Sequence, residues 1–168
     1  TAILSVSNAY LDLASKINNS PFKKVIYLGV DLDSFKNINV NNLGFEKNKN
    51  ELWLIYAGTL GDNYDTKGLI ECAKLMENSV VNYKLFIAGD GNLKQFVTDA
   101  ITTNKLKNTY YLGRVDPLEL VGFYKLCDVG LSTYSKESTV SMPVKAFDYL
   151  AAGLPMLNSL GMDLGDMI

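Results

Sequence analysis

The chain has 168 residues, of which 48% are hydrophobic and 11% aromatic, and it carries a net charge of −2 with no histidine. This length and apolar content suffice for one domain with a substantial core. The negative charge argues against nucleic-acid binding driven by bulk electrostatics. Without histidine, the chain has no imidazole base, no histidine metal ligand and no Ser–His or Cys–His nucleophile.

The two cysteines indicate the redox state of the compartment, and the chain ends indicate whether the sequence is part of a longer protein. Cys72 and Cys127 lack CxxC spacing and lie among apolar residues, so we expect buried free thiols and a reducing compartment. No apolar run reaches the ~20 residues of a transmembrane helix, and the first residues lack the basic flank of a signal peptide. The chain begins without Met and ends without a terminating pattern, so we expect a fragment of a longer protein.

The first fifty residues predict a short β–α–β unit followed by a polar linker. Residues 3–6 are typical of a strand end, and residues 8–17 of a helix capped by Ser7. Residues 24–28 favour a second strand, which leads into a turn-rich segment at 29–35. The stretch 37–50 contains six asparagines, two lysines and a glutamate, which is typical of a loop or linker.

From residue 52 onward, apolar strands alternate with helices. Strands are predicted at 52–57, 84–88, 109–112, 129–132 and 154–157, and helices at 67–76, 93–101, 117–126 and 143–152. Asp116 and Pro117 are typical of a helix start, and Gly153 of a helix end. The alternation predicts a Rossmann-like α/β fold, a parallel sheet with helices on both faces. Ligands bind such sheets at the carboxyl ends of the strands.

The loop after the first of these strands has features of a phosphate site. Gly58, Thr59 and Gly61 follow the strand, and Lys67 begins the next helix. Glycines let backbone N–H groups approach a phosphate, which Lys67 would also reach. A plain strand-to-helix turn with a solvated lysine is the alternative.

The next two loops carry weaker signals. Gly89 and Gly91 form a Gly-x-Gly turn, but Lys94 stands where a dinucleotide fingerprint needs its third glycine. A structural turn therefore fits that loop as well as a ligand contact does. Gly113 and Arg114 leave the third strand, where backbone groups would read the edge of a base and Arg114 would pair with phosphate or stack. A helix-capping turn with an exposed arginine is the alternative there.

The segment 141–155 is the most informative stretch. Lys145 and Asp148 are three residues apart on the first turns of a predicted helix, so they lie on one face. A lysine in the first turn opposes the helix dipole by a few tenths of a kcal/mol unless an anion binds there. We therefore assign a diphosphate to Lys145 and the backbone N–H groups, and ribose hydroxyls to Asp148. A solvated Lys–Asp ion pair is the alternative.

The surroundings of this helix complete the expected site. The polar loop 133–140 leads into it and would offer side chains to sugar hydroxyls. Ser141 or Met142 is expected to cap the helix, with Pro143 in its first turn. Its core face is expected to comprise Val144, Phe147 and Ala151.

Taken in order, these motifs resemble the C-terminal, nucleotide-binding domain of glycosyltransferase family 4. These are retaining transferases of the two-Rossmann-domain, glycosyltransferase-B architecture. The resemblance covers residues from about 24 to 160. It rests on Tyr27 to Phe35 with its Gly-Val-Asp signature, Gly58 with Lys67-Gly68, Phe86 to Gly91, Tyr111 to Val115, Leu126 to Val129 and Ser141 to Pro155.

The resemblance implies roles for individual residues. Lys145 would stabilise the leaving diphosphate, and Lys67 would belong to the donor-phosphate loop, so both are catalytic candidates. The remaining donor contacts would be Gly58, Thr59, Gly61, Gly89, Gly91, Gly113, Arg114, Ser141, Met142, Pro143 and Asp148. No metal or cofactor is expected, because a phosphate clamp of this kind offsets developing charge by itself.

One departure from the family pattern concerns the sugar. The family carries a spaced pair of glutamates, of which the second binds the ribose and the first faces the sugar. Asp148 takes the second place, one methylene shorter, and Val140 stands in the first. Sugar contacts would then fall to Ser141 and the backbone of Met142.

The resemblance also implies domains and a function. Residues 1–22 would be the tail of an acceptor-binding domain, 23–50 an interdomain strand and linker, and 51–168 a nucleotide-binding domain truncated at its C-terminal end. The whole protein would be a bacterial enzyme of polysaccharide biosynthesis. It would transfer sugar from a UDP-sugar, or secondly a GDP-sugar, to a glycan or lipid-linked glycan held mainly by the missing half. The fragment alone would be inactive.

The expected location is the cytoplasm, at the inner face of a membrane with which the full protein associates peripherally; no nucleic-acid partner is expected. Three alternatives stay open. They are a sugar-nucleotide epimerase of the same architecture, a nicotinamide-binding Rossmann module, and a non-catalytic interaction module.

Overall fold

The computed structural model describes residues 2–36, 40 and 43–168. Its strands are β1 (Ala2–Ser5), β2 (Phe22–Val25), β3 (Leu52–Ala57), β4 (Tyr83–Ala88), β5 (Thr109–Gly113), β6 (Val129–Ser132) and β7 (Met156–Asn158). Its α-helices are α1 (Asn8–Ser15), α2 (Thr66–Glu77), α3 (Lys94–Thr103), α4 (Pro117–Leu126), α5 (Val144–Ala152) and α6 (Met162–Met167). A 3-10 helix spans Leu32–Phe35. Residues 37–39 and 41–42 of the predicted linker lie outside the described residues.

A five-stranded parallel sheet forms the centre of the fold, with the strand order β5-β4-β3-β6-β7. Side chains of β3 alternate between its two faces: Trp53 and Ile55 join one buried cluster, and Leu54 and Tyr56 join the other. Helices cover both clusters, which explains why the strands are continuously apolar. The predicted Rossmann-like α/β fold is confirmed.

For most helices and strands, the bounds predicted from local sequence signals lie within two residues of the observed bounds. Ser7 accepts a hydrogen bond from the Tyr10 N–H, Asp116 caps α4, and Gly153 ends α5 in the left-handed conformation. The helix α6 was not predicted, because a six-residue segment containing Gly165 has little intrinsic helix preference. Within the described residues, no helix has the length and apolar character needed to cross a membrane.

The two thiols differ in exposure. Cys127 is buried, as predicted, and burial raises the pKa of its thiol to about 12. The prediction that Cys72 is buried is wrong, because it lies on the solvent side of α2. Both cysteines are free.

The rotation of α5 differs from the prediction. Val144 is 56% exposed, and the buried residues of the helix are Lys145, Ala146 and Tyr149. Tyr149 sets this rotation, because its hydroxyl donates to the Leu131 carbonyl (3.2 Å) and accepts from the Ala57 N–H (3.3 Å). Apolar residues occur all round this helix, so periodicity alone did not identify its inner face.

The start of α5 also differs. Pro143 occupies the cap position and offers no side-chain hydrogen bond, so neither Ser141 nor Met142 caps the helix. Ser141 is fully buried and bonded elsewhere. Pro143 therefore provides no side-chain cap for the first N–H groups of α5.

The N-terminal segment forms a separate small sheet. β1 and β2 pair in parallel, with α1 as the connecting helix. The unit meets the main domain through α1: the Tyr10 hydroxyl donates to the Thr139 carbonyl (3.1 Å), and Asp163 of α6 accepts from the start of α1.

Candidate functional site

A cavity of about 420 Å³ lies at the carboxyl ends of β3 and β6. From β3 the chain continues to β4 on one side, whereas β6 lies on the other, so the cavity occupies the point where the strand order reverses. Such switch points are where open α/β sheets bind ligands. The walls come from the loops after β3 and β6, from α4 and from the start of α5: Ala57, Gly58, Thr59, Tyr64, Leu120, Tyr124, Tyr134, Val140, Met142, Pro143, Val144, Lys145 and Asp148.

Lys145 is the central charged group of this cavity. It lies one turn before Tyr149 on the inward face of α5, and it is only 8% exposed. Within the described residues, its Nζ has no hydrogen-bond partner. A buried cation without an acceptor is costly, and its burial lowers the pKa of Lys145 to about 7. The side chain therefore presents an unsatisfied donor to the cavity.

Three aromatic rings surround this ammonium group. Its Nζ lies 4.1 Å from the ring centroid of Tyr56, 5.3 Å from that of Tyr64 and 5.2 Å from that of Tyr134. We call these three residues the tyrosine cage. Burial raises the pKa of Tyr56 and of Tyr134, so these phenols stay neutral and supply cation–π attraction rather than a counterion.

The start of α5 adds a second positive contribution. The first N–H groups of any α-helix have no partner inside the helix, and the aligned peptide dipoles place partial positive charge there. In α5 the Ala146 N–H donates to the Pro143 carbonyl (3.1 Å), and the Pro143 side chain gives the Val144 and Lys145 N–H groups no cap. Met142, Pro143 and Val144 line the cavity. An anion in the cavity would meet these N–H groups and Lys145 together.

Asp148 lies one turn further along α5, at the junction with a second cavity of about 330 Å³. The two cavities share Leu120, Tyr124 and Asp148. The second cavity is mostly apolar, with walls that include Val30, Phe35, Val115, Pro117 and Val121. Partial burial raises the pKa of Asp148. The site therefore runs from a positive end, past a carboxylate, to an apolar end.

Gly89 and Gly91 do not line either cavity. Both have positive φ (139° and 154°), and a Cβ on either would overlap a carbonyl oxygen of the loop after β3, that of Gly58 or that of Leu60. In addition, the Gly58 N–H donates to the Ala88 carbonyl (3.0 Å), and the Leu60 N–H to the Asp90 carbonyl (2.9 Å). The Gly-x-Gly turn thus lets two loops lie backbone to backbone, and it shapes the cavity wall indirectly.

The remaining predicted residues lie around the cavity rather than in it. Lys67 is exposed on α2, and Gly61 is buried beside Asn92. Arg114 is 85% exposed along its side chain, with Nε 3.4 Å from Asp90 Oδ2.

Two further predicted residues also lie outside the lining. Gly113 ends β5 with φ 68°, two residues before Val115 of the second cavity. Ser141 donates to Asp163 Oδ1 (2.8 Å). The cavity thus brings together six of the predicted residues: Gly58, Thr59, Met142, Pro143, Lys145 and Asp148.

Sequence reasoning missed the tyrosine cage and the apolar cavity. The position of Tyr56 in an apolar strand predicts only a core residue. Tyr64 and Tyr134 lie in two different loops, far apart along the chain. The sequence signal that bears on them is the general expectation that ligands bind at the carboxyl ends of parallel strands.

A parallel sheet covered by helices on both faces, with a cavity at its switch point, defines an α/β domain of Rossmann type. The sequence profile of the family described as Glycosyl transferases group 1 matches residues 40–160. The chain belongs to this family, and the predicted resemblance is confirmed. No curated protein sequence matches the chain.

Solved structures share the fold. HepE of Anabaena, in complex with UDP and glucose, is 15% identical with a TM-score of 0.72 over 99% of this chain and 46% of its own. A glycosyltransferase from Rickettsia africae is 15% identical, with a TM-score of 0.76 over 98% of this chain and 46% of its own. The lipopolysaccharide outer core galactosyltransferase WaaB is 19% identical, with a TM-score of 0.69 over 99% and 45%. The chain spans less than half the length of each.

Proposed function

We propose that this chain is the donor-binding part of a retaining glycosyltransferase that uses a nucleoside diphosphate sugar, with a UDP-sugar as the first candidate and a GDP-sugar as the second. The observation that carries the proposal is Lys145. Its ammonium group is 8% exposed, lacks an acceptor within the described residues, and faces a cavity at an uncapped helix start.

The positive end of the site would hold the diphosphate. Phosphate oxygens would accept hydrogen bonds from Lys145 and from the first N–H groups of α5. Because Lys145 has no competing acceptor in the described residues, a bound phosphate would satisfy its donors at no cost in existing hydrogen bonds. The binding of this anion would also favour the protonated lysine.

The middle and the apolar end would hold the nucleoside. Asp148 lines both cavities, so its carboxylate would accept hydrogen bonds from two ribose hydroxyls while the base enters the second cavity. Apolar walls with a few polar groups are typical of such sites. The loop that carries Gly113 and Arg114 leads into Val115, a wall residue of that cavity, and its backbone would read the edge of the base.

The same groups would assist the chemical step. When the bond between the sugar and the diphosphate breaks, negative charge develops on the leaving phosphate. A fixed cation and fixed N–H dipoles inside a partly dry cavity stabilise such charge more strongly than water does. This clamp would act without a metal ion.

The sugar end has a different character. Val140 lines the cavity at the place of the family's sugar-facing glutamate, and the Ser141 hydroxyl is engaged by Asp163. We propose that backbone groups of Met142 and the loop after β3 contact the sugar instead. The likeness to WaaB, named as an outer core galactosyltransferase of lipopolysaccharide, supports a glycan or lipid-linked acceptor. The same name supports a bacterial polysaccharide pathway, and we propose that the whole protein acts at the cytoplasmic side of a membrane.

Thermal shifts with UDP, GDP and NAD test the nucleotide class. We expect UDP or GDP to raise the melting temperature. Stabilisation by NAD alone would refute the transferase proposal in favour of a nicotinamide-binding module, and no response to any nucleotide would favour a non-catalytic module.

Variants then test the site itself. Lys145→Ala and Asp148→Ala should each weaken binding of the responding nucleotide, by about tenfold or more for a charge-assisted contact. Lys125→Ala, on the exposed end of α4, removes the same charge and should leave the affinity unchanged. Lys67→Ala decides whether that exposed lysine reaches the phosphate.

The epimerase alternative uses the same donors and differs in its product. The protein carrying its acceptor-binding half should release UDP when an acceptor is present. Conversion of the UDP-sugar to its epimer without an acceptor would support the epimerase.

A further inference from the structure

Asp163, in the first turn of α6, is a buried carboxylate at a junction of three segments. It is 5% exposed, and it accepts hydrogen bonds from the Asn8 N–H (2.7 Å), Asn8 Nδ2 (2.9 Å), the Ala9 N–H (3.0 Å), the Tyr27 hydroxyl (3.1 Å) and the Ser141 hydroxyl (2.8 Å). Burial alone would raise the pKa of Asp163, but these hydrogen bonds hold it well below its usual range.

One group of these bonds fixes α1. Asn8 and Ala9 are the first residues of that helix, so their N–H groups have no partner inside it. Ser7 caps α1 through the Tyr10 N–H and leaves these two donors free. Asp163 therefore caps α1 from another element, across 155 residues of sequence in the case of Asn8.

Another bond fixes the approach to α5. Ser141 donates its hydroxyl to Asp163, and its carbonyl accepts the Leu164 N–H (3.2 Å). Two hydrogen bonds thus attach Ser141 to the first turn of α6. The next two residues, Met142 and Pro143, line the cavity, and Pro143 begins α5.

We propose that Asp163 is a positioning residue of the nucleotide site: through Ser141 it sets where the N-terminal end of α5 lies, and it couples that end to α1. This inference rests on the proposed function, because the value of a fixed helix start is the fixed anion site that it creates. Asp163 touches neither cavity, so it acts only through the residues that it holds.

The hydrogen bonds at Asp163 offer a matched pair of variants. Ser141→Ala removes the hydroxyl that leads to α5. Tyr27→Phe removes a hydroxyl that donates to the same carboxylate and also accepts from Asn8 Nδ2 (3.0 Å) at the start of α1. Both changes delete one oxygen and one hydrogen bond to Asp163. At metal sites, residues that hydrogen-bond to the metal ligands and orient them typically contribute about 10–100-fold to metal affinity. By analogy, we expect Ser141→Ala to weaken UDP-glucose binding about tenfold. Tyr27→Phe should leave the affinity unchanged.

Two measurements separate positioning from simple stability. Titration calorimetry of the whole chain gives the UDP-glucose affinity, and urea unfolding gives the stability of each variant. Hydrogen exchange at the Leu164 and Ala146 amides, which are bonded to Ser141 and Pro143, reports the geometry of the α5 approach without any ligand. Ser141→Ala should speed exchange at both amides. The double variant Ser141→Ala/Asp163→Asn should lose less affinity than the product of the two single losses.

The outcomes of these measurements test the positioning role of Asp163 and the proposed function separately. Equal affinity losses in Ser141→Ala and Tyr27→Phe, or no loss in Ser141→Ala, would mean that Asp163 only stabilises the fold, which overturns the inference. If Asp163→Asn does not fold, the comparison of Ser141→Ala with Tyr27→Phe still decides it. If the unaltered chain binds no nucleotide, the proposed function is wrong, and unchanged exchange in Ser141→Ala would separately refute the positioning of α5.

Discussion

Replacing Lys145 with methionine should stabilise the free protein while weakening nucleotide binding. Methionine matches the unbranched apolar stem of lysine but lacks the terminal ammonium group. Burial lowers the pKa of Lys145 from its ordinary 10.5 to about 7, and a change of this size corresponds to roughly 4 kcal/mol of lost stability at pH 7. Cation–π contact with the tyrosine cage offsets part of this loss, at about 1–2 kcal/mol. We therefore expect Lys145→Met to gain about 2–3 kcal/mol.

The pH dependence of this gain identifies its cause. In the folded chain the lysine holds its proton less tightly than in the unfolded chain, so the penalty is full below pH 7, falls between pH 7 and 10.5, and vanishes above. Urea unfolding at pH 6.5 and pH 9 should therefore show the advantage of Lys145→Met shrinking by about 2 kcal/mol at the higher pH. Lys125→Met, on the exposed end of α4, should show neither the gain nor its pH dependence.

Two results would refute this reasoning. A Lys145→Met variant that is less stable than the unaltered chain at pH 6.5 would mean that the tyrosine cage outweighs the cost of burying the charge. An advantage that does not change with pH would mean that packing, rather than protonation, causes it. In either case the buried ammonium group of Lys145 would not be the cause of a stability cost in the free protein.

Three further predictions follow from the same geometry. The affinity for UDP-glucose should fall as pH rises above 7, by up to about tenfold per pH unit, because Lys145 must be protonated in the complex. The diphosphate of UDP-glucose has no proton to lose near neutrality. Calorimetry should therefore show proton uptake on binding, which Lys145→Met abolishes. Gly89→Ala should lower the free energy of unfolding by roughly 2 kcal/mol or more, because its Cβ would overlap the Gly58 carbonyl, whereas Gly29→Ala, with open space around the new Cβ, should change the urea midpoint little. Asp148→Asn should weaken UDP but not inorganic pyrophosphate, and an equal loss for both ligands in a competition assay would contradict its assignment to the ribose.

Much of the fold was predictable because its signals are local. The apolar strands, the Asp116-Pro117 helix start and the Gly153 helix end need only a few neighbouring residues to be read. The pairing of Lys145 with Asp148 on one stretch of helix was predictable for the same reason, since helical spacing alone puts residues three apart on one side.

Other features depend on contacts between distant segments. The inner face of α5 is decided by Tyr149, whose hydroxyl bonds to β3 and β6. The roles of Gly89 and Gly91 are decided by the loop after β3, which lies against them. Neither contact can be predicted from the sequence pattern immediately around these residues.

The sequence by itself determined the class of fold, the family, and the helix on which a lysine and a carboxylate stand, because these depend on residue types at short spacing. Only the tertiary structure decided that Lys145 points inward, that three tyrosines surround it, and that Asp163 accepts a hydrogen bond from Ser141. The physical reason is that a group's burial and its neighbours are properties of what surrounds it in space. Those surroundings come from strands and loops far apart along the chain.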